Sequence, residues 1–308
     1  MDAALVLFNP RAGGDRARER WASVEPAVRA ACDPTVVELD AGGSWRDRVA
    51  EALAGGTRFV IAAGGDGTVH ALVNAVVIAP GRPPLDALRL GAVGLGSSND
   101  FHKPVGRRIA GVPVRLGPDA APRDVGAARL VTPDGARRTE CFVVSASVGI
   151  VAEANAFFQD GDALQGWLRG RWTTGAILNA ARHAIAAQRN VPALLRVAGR
   201  TWRTDVTSLG VAKTPYVSGG FRYDATVDPA DGRLLVSLCH GMSRGRAVAA
   251  LASLARGRFA GRRGRSLWSS RRAVLQPDRP VTLELDGEVC MVRRVAFGVL
   301  PERIALCQ

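Results

Sequence analysis

Short apolar runs alternate with amphipathic stretches through the first hundred residues. Ala3–Phe8 is apolar and ends in the turn Asn9-Pro10-Arg11-Ala12-Gly13-Gly14, after which a helix is expected from Asp15 to about Ala31. Thr35–Leu39 is short and β-branched, and Ser44 is placed to cap a helix running to about Ala54. Arg58–Ala63 is the next strand, ending at Gly64-Gly65-Asp66-Gly67-Thr68, with a helix from near Val69 through about Val77. Leu88–Val93 then runs into Gly94-Leu95-Gly96-Ser97-Ser98-Asn99-Asp100. Strands alternating with helices in this way predict an α/β domain with a mostly parallel sheet covered on both faces.

The rhythm changes near the Pro/Gly-rich stretch Gly117–Arg123. It is expected to separate a domain over 1–118 from one over 119–298, with a terminal strand at 299–308 returning to the first. Strand-like segments dominate beyond it: Glu140–Val148, Leu194–Val197, Trp202–Ala212, Leu234–Leu238, Val281–Leu285 and Val289–Val299. Helical periodicity interrupts them at about Leu164–Ala187, so the second half reads as an antiparallel β-sandwich with a helical insertion.

Composition narrows the partners. The formal net charge is +13, and with Lys103 and Lys213 the only lysines, 39 of the 41 basic residues are arginine. Such a balance suits a polyanion, either a nucleotide or an anionic membrane face, although the codon bias of a GC-rich genome explains it equally well. No nucleic-acid-reading element accompanies the charge, so nucleic acid is not expected as a partner. The five cysteines are scattered without metal-ligand spacing, which argues against zinc and for reduced thiols in the cytoplasm. No run of about 18 uncharged apolar residues occurs, and the opening segment reads as a buried strand rather than a signal peptide.

Three turns with small or polar residues lie at the carboxyl ends of expected strands, the edge where open parallel sheets bind ligands. Glycines let main-chain N–H groups approach phosphates, and the following helix N-terminus adds a favourable dipole. Asp66 is unusual there, because a carboxylate inside a phosphate cradle calls for a bridging Mg²⁺; the plainer reading is a helix cap. No GxxxxGK[ST] occurs, which excludes a P-loop NTPase.

Together these turns resemble the diacylglycerol kinase catalytic-domain family, which includes bacterial lipid kinases and sphingosine and ceramide kinases. Asn9–Gly13, Gly64–Thr68 and Gly96-Ser97-Ser98-Asn99-Asp100-Phe101 carry the likeness, followed in order by Arg123-Asp124-Val125-Gly126, Ser218–Phe221, Asp231-Gly232-Arg233-Leu234-Leu235, Asp286-Gly287-Glu288 and Val299-Leu300-Pro301. The chain departs from the family pattern at Gly14, His70, Gly94 and Ser97.

The resemblance implies ATP and Mg²⁺ as cofactors and a lipid hydroxyl, such as that of diacylglycerol, as phosphoryl acceptor. Around the nucleotide it places Asn9, Pro10, Arg11, Ala12, Gly13, Gly64, Gly65, Asp66, Gly67, Thr68, Val69, His70, Ser97 and Asn99. It further implies Asp66, Asp100 and Asp124 near Mg²⁺, and a structural Mg²⁺ held by Asp231 with carbonyls near Asp228 and Arg233. Asp66 counts among the catalytic residues, and Asp286 or Glu288 is the general base, the two carboxylates sharing one side if the strand continues through them. Peripheral attachment to an anionic membrane is expected through Phe259, Leu267 and Trp268 within the arginine-rich stretch Arg256–Arg272, or through Trp167 and Trp172. A homodimer is compatible with the sequence. An NAD kinase-like enzyme, which shares the Gly-Gly-Asp-Gly-Thr turn, and a non-catalytic nucleotide-binding regulator are the alternatives.

Overall fold

A computed structural model describes residues 2–14 and 16–308. The chain separates into two compact units, one of 1–125 with 301–308 and one of 126–300.

In the first unit, β1 (Ala3–Phe8), α1 (Ala17–Ala31), β2 (Asp33–Glu38), α2 (Trp45–Ala54), β3 (Phe59–Gly64), α3 (Asp66–Ile78) and β4 (Arg89–Gly94) alternate as the hydrophobic pattern predicts. Asp15, where the first helix was expected to begin, lies outside the described residues. The strands pair in parallel in the order β2-β1-β3-β4. Two short strands, β5 (Arg107–Ile109) and β6 (Val112–Arg115), form an antiparallel hairpin that joins β4 at Ala92 and Val93. β1 and β3 are almost entirely buried, as strands covered by helices on both faces must be. α3 begins at Asp66, three residues before its expected start near Val69, so the glycine turn is itself the first turn of the helix.

The stretch Gly117–Arg123 does not separate the units. It is already strand from Ala120, within β7 (Ala120–Val131), and the chain passes from one unit to the other after Val125.

The second unit contains β8 (Arg137–Phe142), β9 (Ser145–Gly149), α4 (Ile150–Asp160), α5 (Ala163–Arg171), α6 (Thr173–Ala186), β10 (Val191–Val197) and β11 (Arg200–Ala212). These are followed by β12 (Tyr216–Val217), β13 (Phe221–Arg222), β14 (Leu234–His240), α7 (Arg244–Ala255), β15 (Arg265–Ser270), β16 (Ala273–Pro277), β17 (Val281–Leu285), β18 (Glu288–Val292) and the first part of β19 (Arg294–Cys307). It is an antiparallel β-sandwich. β11 bends at a bulge between Val206 and Ser208; its first half pairs with β10 and its second half with β9. Alternate residues from both layers, among them Leu130, Phe142, Val148, Leu195, Leu209, Val236, Leu283 and Phe297, build one apolar core.

Two long strands of the sequence reading are each broken in two. Glu140–Val148 stops at Val143 and Val144, whose N–H groups bond to Asp286 instead of to a neighbouring strand. Val289–Val299 is interrupted at Arg293, whose N–H donates to Val131 O. The helical insertion is joined by α4 and α7, which the periodicity did not single out.

Candidate active site

The turns after β1, β3 and β4 leave adjacent parallel strands at one level: Gly64 pairs with Gly94, and Ala63 with Phe8. They are tied together by side chains. Asn9 Nδ2 donates to Thr68 Oγ1 at 3.1 Å, and Arg11 N–H donates back to Asn9 Oδ1 at 3.0 Å. Asn99, in a left-handed conformation at φ 47°, donates to the carbonyls of Gly94 and Gly96. A Cβ on Gly96 would overlap the main chain of Gly65, so these two turns approach more closely than any other residue pair allows. Thr68, Val69, His70 and Ala12 are buried beneath the cradle, Asn9, Pro10, Gly13, Gly65, Asp66 and Gly67 line it half-exposed, and Arg11 and Ser97 are exposed.

Gly94 has a local reason. A side chain there would run into Pro113 Cγ at 2.6 Å and the His102 ring at 3.0 Å. His102 is buried, and burial, reinforced by Arg115 and Arg108, pushes its pKa down to about 3. Arg20, which sequence reasoning missed, donates to Leu95 O at 2.7 Å and Gly94 O at 3.1 Å, bracing the third turn. Its burial lowers its pKa from the usual arginine value.

The carboxylates expected around Mg²⁺ do not converge. Asp66 accepts from the main-chain N–H groups of Asp100 (3.0 Å) and Phe101 (2.9 Å), so it fixes the third turn against the second. Buried Asp100 is paired with Lys103 at 2.6 Å, and Asp124 with Arg303 at 2.9 Å. Among the described residues no three metal-ligating side chains form a cluster. A phosphate-borne Mg²⁺ needs only one or two protein carboxylates, and Asp66 and Asp100 are those beside the glycine cradle.

In the second unit, Asp286 and Gly287 form a tight turn between β17 and β18, with φ values of 49° and 101°. The strand therefore does not continue through Asp286 and Glu288, contrary to the expected arrangement. Asp286 is buried, and its oxygens accept from Val143 N (2.7 Å), Val144 N (2.9 Å) and Ser145 N (2.9 Å). Glu284 straps the same turn, accepting from Gly287 N at 2.6 Å and from the Ser147 hydroxyl at 2.7 Å. Glu288 is exposed.

The oxygens expected to hold a structural Mg²⁺ have another partner. The Lys213 side chain, fully buried, donates from Nζ to Asp228 O (3.2 Å), Asp231 Oδ1 (3.2 Å) and Arg233 O (2.6 Å). A cation is already covalently supplied, so this donor set does not fit the ion. Asp231 is a lysine partner, and the sequence signal was present: Lys213 ends an apolar strand and is one of only two lysines.

An apolar pocket with a cavity of about 60 Å³ lies between β11, β14 and helices α4, α6 and α7, lined by residues including Ile150, Ile185, Tyr223, Met242, Leu254 and Phe259. Tyr223 accepts from the Ser237 hydroxyl at 2.8 Å, and burial pushes its pKa up to about 12. Phe259 is buried in this cluster and is not presented to a membrane as expected, whereas Leu267 and Trp268 are half-buried against apolar cores. Trp167 and Trp172 are more than half exposed, together with Leu164 and Leu178 on the same insertion. No described helix is long and apolar enough to cross a membrane.

Comparison with known proteins gives concordant results for both units. Residues 3–119 match the family model described as the diacylglycerol kinase catalytic domain, and residues 144–308 that of the YegS C-terminal NAD kinase beta sandwich-like domain. A protein of Pseudomonas savastanoi pv. phaseolicola named "Probable lipid kinase YegS-like" is 29% identical over 213 residues, 65% of this chain and 62% of its own length. A namesake from Pseudomonas syringae pv. tomato matches at the same identity and coverage. The chain thus spans about 62% of the curated relatives it matches. A solved putative diacylglycerol kinase from Bacillus anthracis str. Sterne superposes with a TM-score of 0.73 at 18% identity, covering 99% of this chain and 96% of that one. Yeast NADH kinase, solved with NADH, superposes with a TM-score of 0.52 at 11% identity, covering 99% and 83%. At these identities the structural likeness is one of fold.

Proposed function

The chain belongs to the diacylglycerol kinase catalytic-domain family, and from that premise we propose that it is a lipid kinase moving the γ-phosphoryl group of ATP to a lipid hydroxyl. The observation that carries the reading is the cradle: three turns from adjacent strands, held by Asn9, Thr68, Asp66 and Asn99, with Gly96 too close to Gly65 to carry a side chain. Main-chain N–H groups at the start of α3 are the donors we assign to the phosphates, with no lysine among them. Mg²⁺ carried by the nucleotide would neutralise phosphate charge, with Asp66 and Asp100 as its protein ligands.

We assign the general base to Glu288. Asp286 has its oxygens committed to three main-chain donors, whereas Glu288 is exposed. As the acceptor oxygen bonds to the γ-phosphorus, the bond to the β-phosphate oxygen breaks and its electron pair leaves with ADP. The hydroxyl proton passes to Glu288.

Two features of the second unit favour a lipid over NAD as acceptor. The pocket against α7 is lined mostly by apolar side chains, and its volume suits the end of an acyl chain. Exposed Leu164, Trp167, Trp172 and Leu178 suit the membrane–water interface, and we assign peripheral attachment to them. The test is purified protein with γ-labelled ATP, Mg²⁺ and a total lipid extract, with NAD as the parallel acceptor. A labelled lipid identified by mass supports the proposal; labelled NADP in its place overturns it.

A further inference from the structure

The outer face of the sandwich carries a second, unassigned site. In β7, Ala128 and Leu130 point into the core and Arg129 points out. In β19, Val295 and Phe297 point in, and Arg294 and Ala296 out; in β16, Ala273 and Leu275 point in, which turns Val274 and the preceding Arg272 outward. β8 pairs Arg137 with Val131 and Thr139 with Arg129, so Arg129 and Arg137 are diagonal neighbours on the same outer face, with side chains about 7–8 Å apart. The sheet register alone therefore gathers Arg129, Arg137, Arg272 and Arg294.

They line one concave site of about 470 Å³, completed by Arg138, Thr139, Val131 and Ala296, and no carboxylate belongs to its lining. Arg138 at the rim is paired with Glu140 at 3.0 Å. Among the described residues no ion pair involves Arg129, Arg137, Arg272 or Arg294, and all four are exposed. Like charges on neighbouring sheet positions repel, and a bound anion would relieve the repulsion among four exposed guanidinium groups around one hollow. Planar guanidinium forks match phosphate oxygens two at a time, and several converging forks favour adjacent phosphate groups over a single one.

We propose that this groove binds a compact ligand bearing at least two phosphate groups. None of its residues belongs to the glycine turns or to the Asp286–Glu288 turn, so the inference holds whether or not the chain is a lipid kinase. The same chemistry is offered by the phosphate-rich headgroup of an anionic lipid and by a soluble polyphosphate.

The experiment compares the full chain with Arg129→Gln/Arg294→Gln and with a control pair, Arg189→Gln/Arg279→Gln, which removes the same charge at exposed positions outside the groove. Inositol hexakisphosphate, as a soluble phosphate cluster, is titrated by calorimetry at physiological salt. Vesicles of phosphatidylcholine with and without phosphatidylinositol bisphosphate are tested by sedimentation, with and without that competitor. Thermal melting checks that each variant is folded. The groove pair should bind the phosphate cluster about tenfold or more weakly, as loss of two charge-assisted contacts implies, and the control pair should stay within about twofold. Vesicle binding lost in the groove pair and displaced by the cluster assigns the site to a lipid headgroup; cluster binding without vesicle binding assigns it to a soluble polyphosphate. No binding of the cluster by the wild-type chain, or equal weakening in both pairs, overturns the proposal.

Discussion

Replacing Lys213 tests whether an ammonium group does the work of a structural metal ion. Lys213→Met keeps most of the aliphatic stem but leaves the carbonyls of Asp228 and Arg233 and the Asp231 carboxylate without their shared donor. Stripping one partner from a buried pair costs about 3–5 kcal/mol, and an unsatisfied buried carbonyl about 1–3 kcal/mol. Asp231 is about a third exposed, so water recovers part of its loss, and the lower half of the pair-breaking range, about 3–4 kcal/mol, is the expected destabilisation. For a unit the size of 126–300, each kcal/mol moves the melting temperature by about 2–4 °C, so a fall on the order of 10 °C follows. Nucleotide-free melting of the wild type should be unchanged by EDTA or by millimolar Mg²⁺. Lys213→Ala, which opens the volume as well, should regain stability as Mg²⁺ or Ca²⁺ is added, by mass action on the folded state. A wild-type melting temperature that responds to these ions, or Lys213→Met melting with the wild type, would refute the reasoning.

Asp66→Asn should abolish phosphoryl transfer from Mg-ATP while leaving the circular dichroism spectrum near wild type and lowering the melting temperature only modestly, since one of two accepted N–H groups is lost; turnover at saturating ATP close to the wild-type rate would sink the catalytic assignment. Glu288→Gln should lower kcat by about 10²–10⁴-fold with nucleotide-analogue affinity retained, as removal of a general base does. Asp286→Ala should instead destabilise the second unit, because three main-chain donors lose their acceptor, and calorimetric melting separates the two outcomes. His102, held near a pKa of about 3, is neutral when folded and protonated when unfolded between there and its ordinary value near 6.5. The unfolded state binds the extra proton in that window, so stability falls with decreasing pH below about 6.5, by up to about 1.4 kcal/mol per pH unit. Urea titrations from pH 7 to 5 on wild type and His102→Phe should diverge, and identical pH slopes would exclude His102 as the cause.

The first unit was legible because its strands are continuous apolar runs whose ends are marked by glycine, a signal local in sequence. The breaks in the second unit were not, because their causes lie far along the chain. Val143 and Val144 read as strand by every local measure and leave the ladder only because Asp286 collects their N–H groups. α4 carried one usable mark, Gly149: its φ of 88° and the crowding of any Cβ there against Thr207 O end the strand and open the helix. The aromatic residues of Arg256–Arg272 were placed on a membrane by composition, whereas Phe259 stacks edge-on against Tyr223 inside a core. Composition reports which residues suit an interface, but not which way a strand or loop turns them.

The two signature aspartates show why a motif overstates its own chemistry. Asp66 gathers consecutive N–H groups of the turn at Asp100 and Phe101, and Asp286 gathers those at Val143, Val144 and Ser145. Each is a carboxylate in one glycine turn that sets the position of another segment, an arrangement no neutral side chain replaces at equal strength. A family motif would keep such residues for geometry alone. The neighbouring acids are Asp100 beside Asp66 and Glu288 beside Asp286. Asp100 is buried and paired with Lys103, and Glu288 stands in solvent at the end of a turn that Asp286 and Glu284 hold. On the proposed assignment Asp66→Asn and Glu288→Gln should differ in kind, because Asp66 both positions a turn and carries charge beside the phosphates whereas Glu288 supplies only the proton acceptor. In the first, an amide still accepts one N–H and the fold survives, but the charge beside the phosphates is gone. In the second, the turn is untouched and only the proton acceptor is lost.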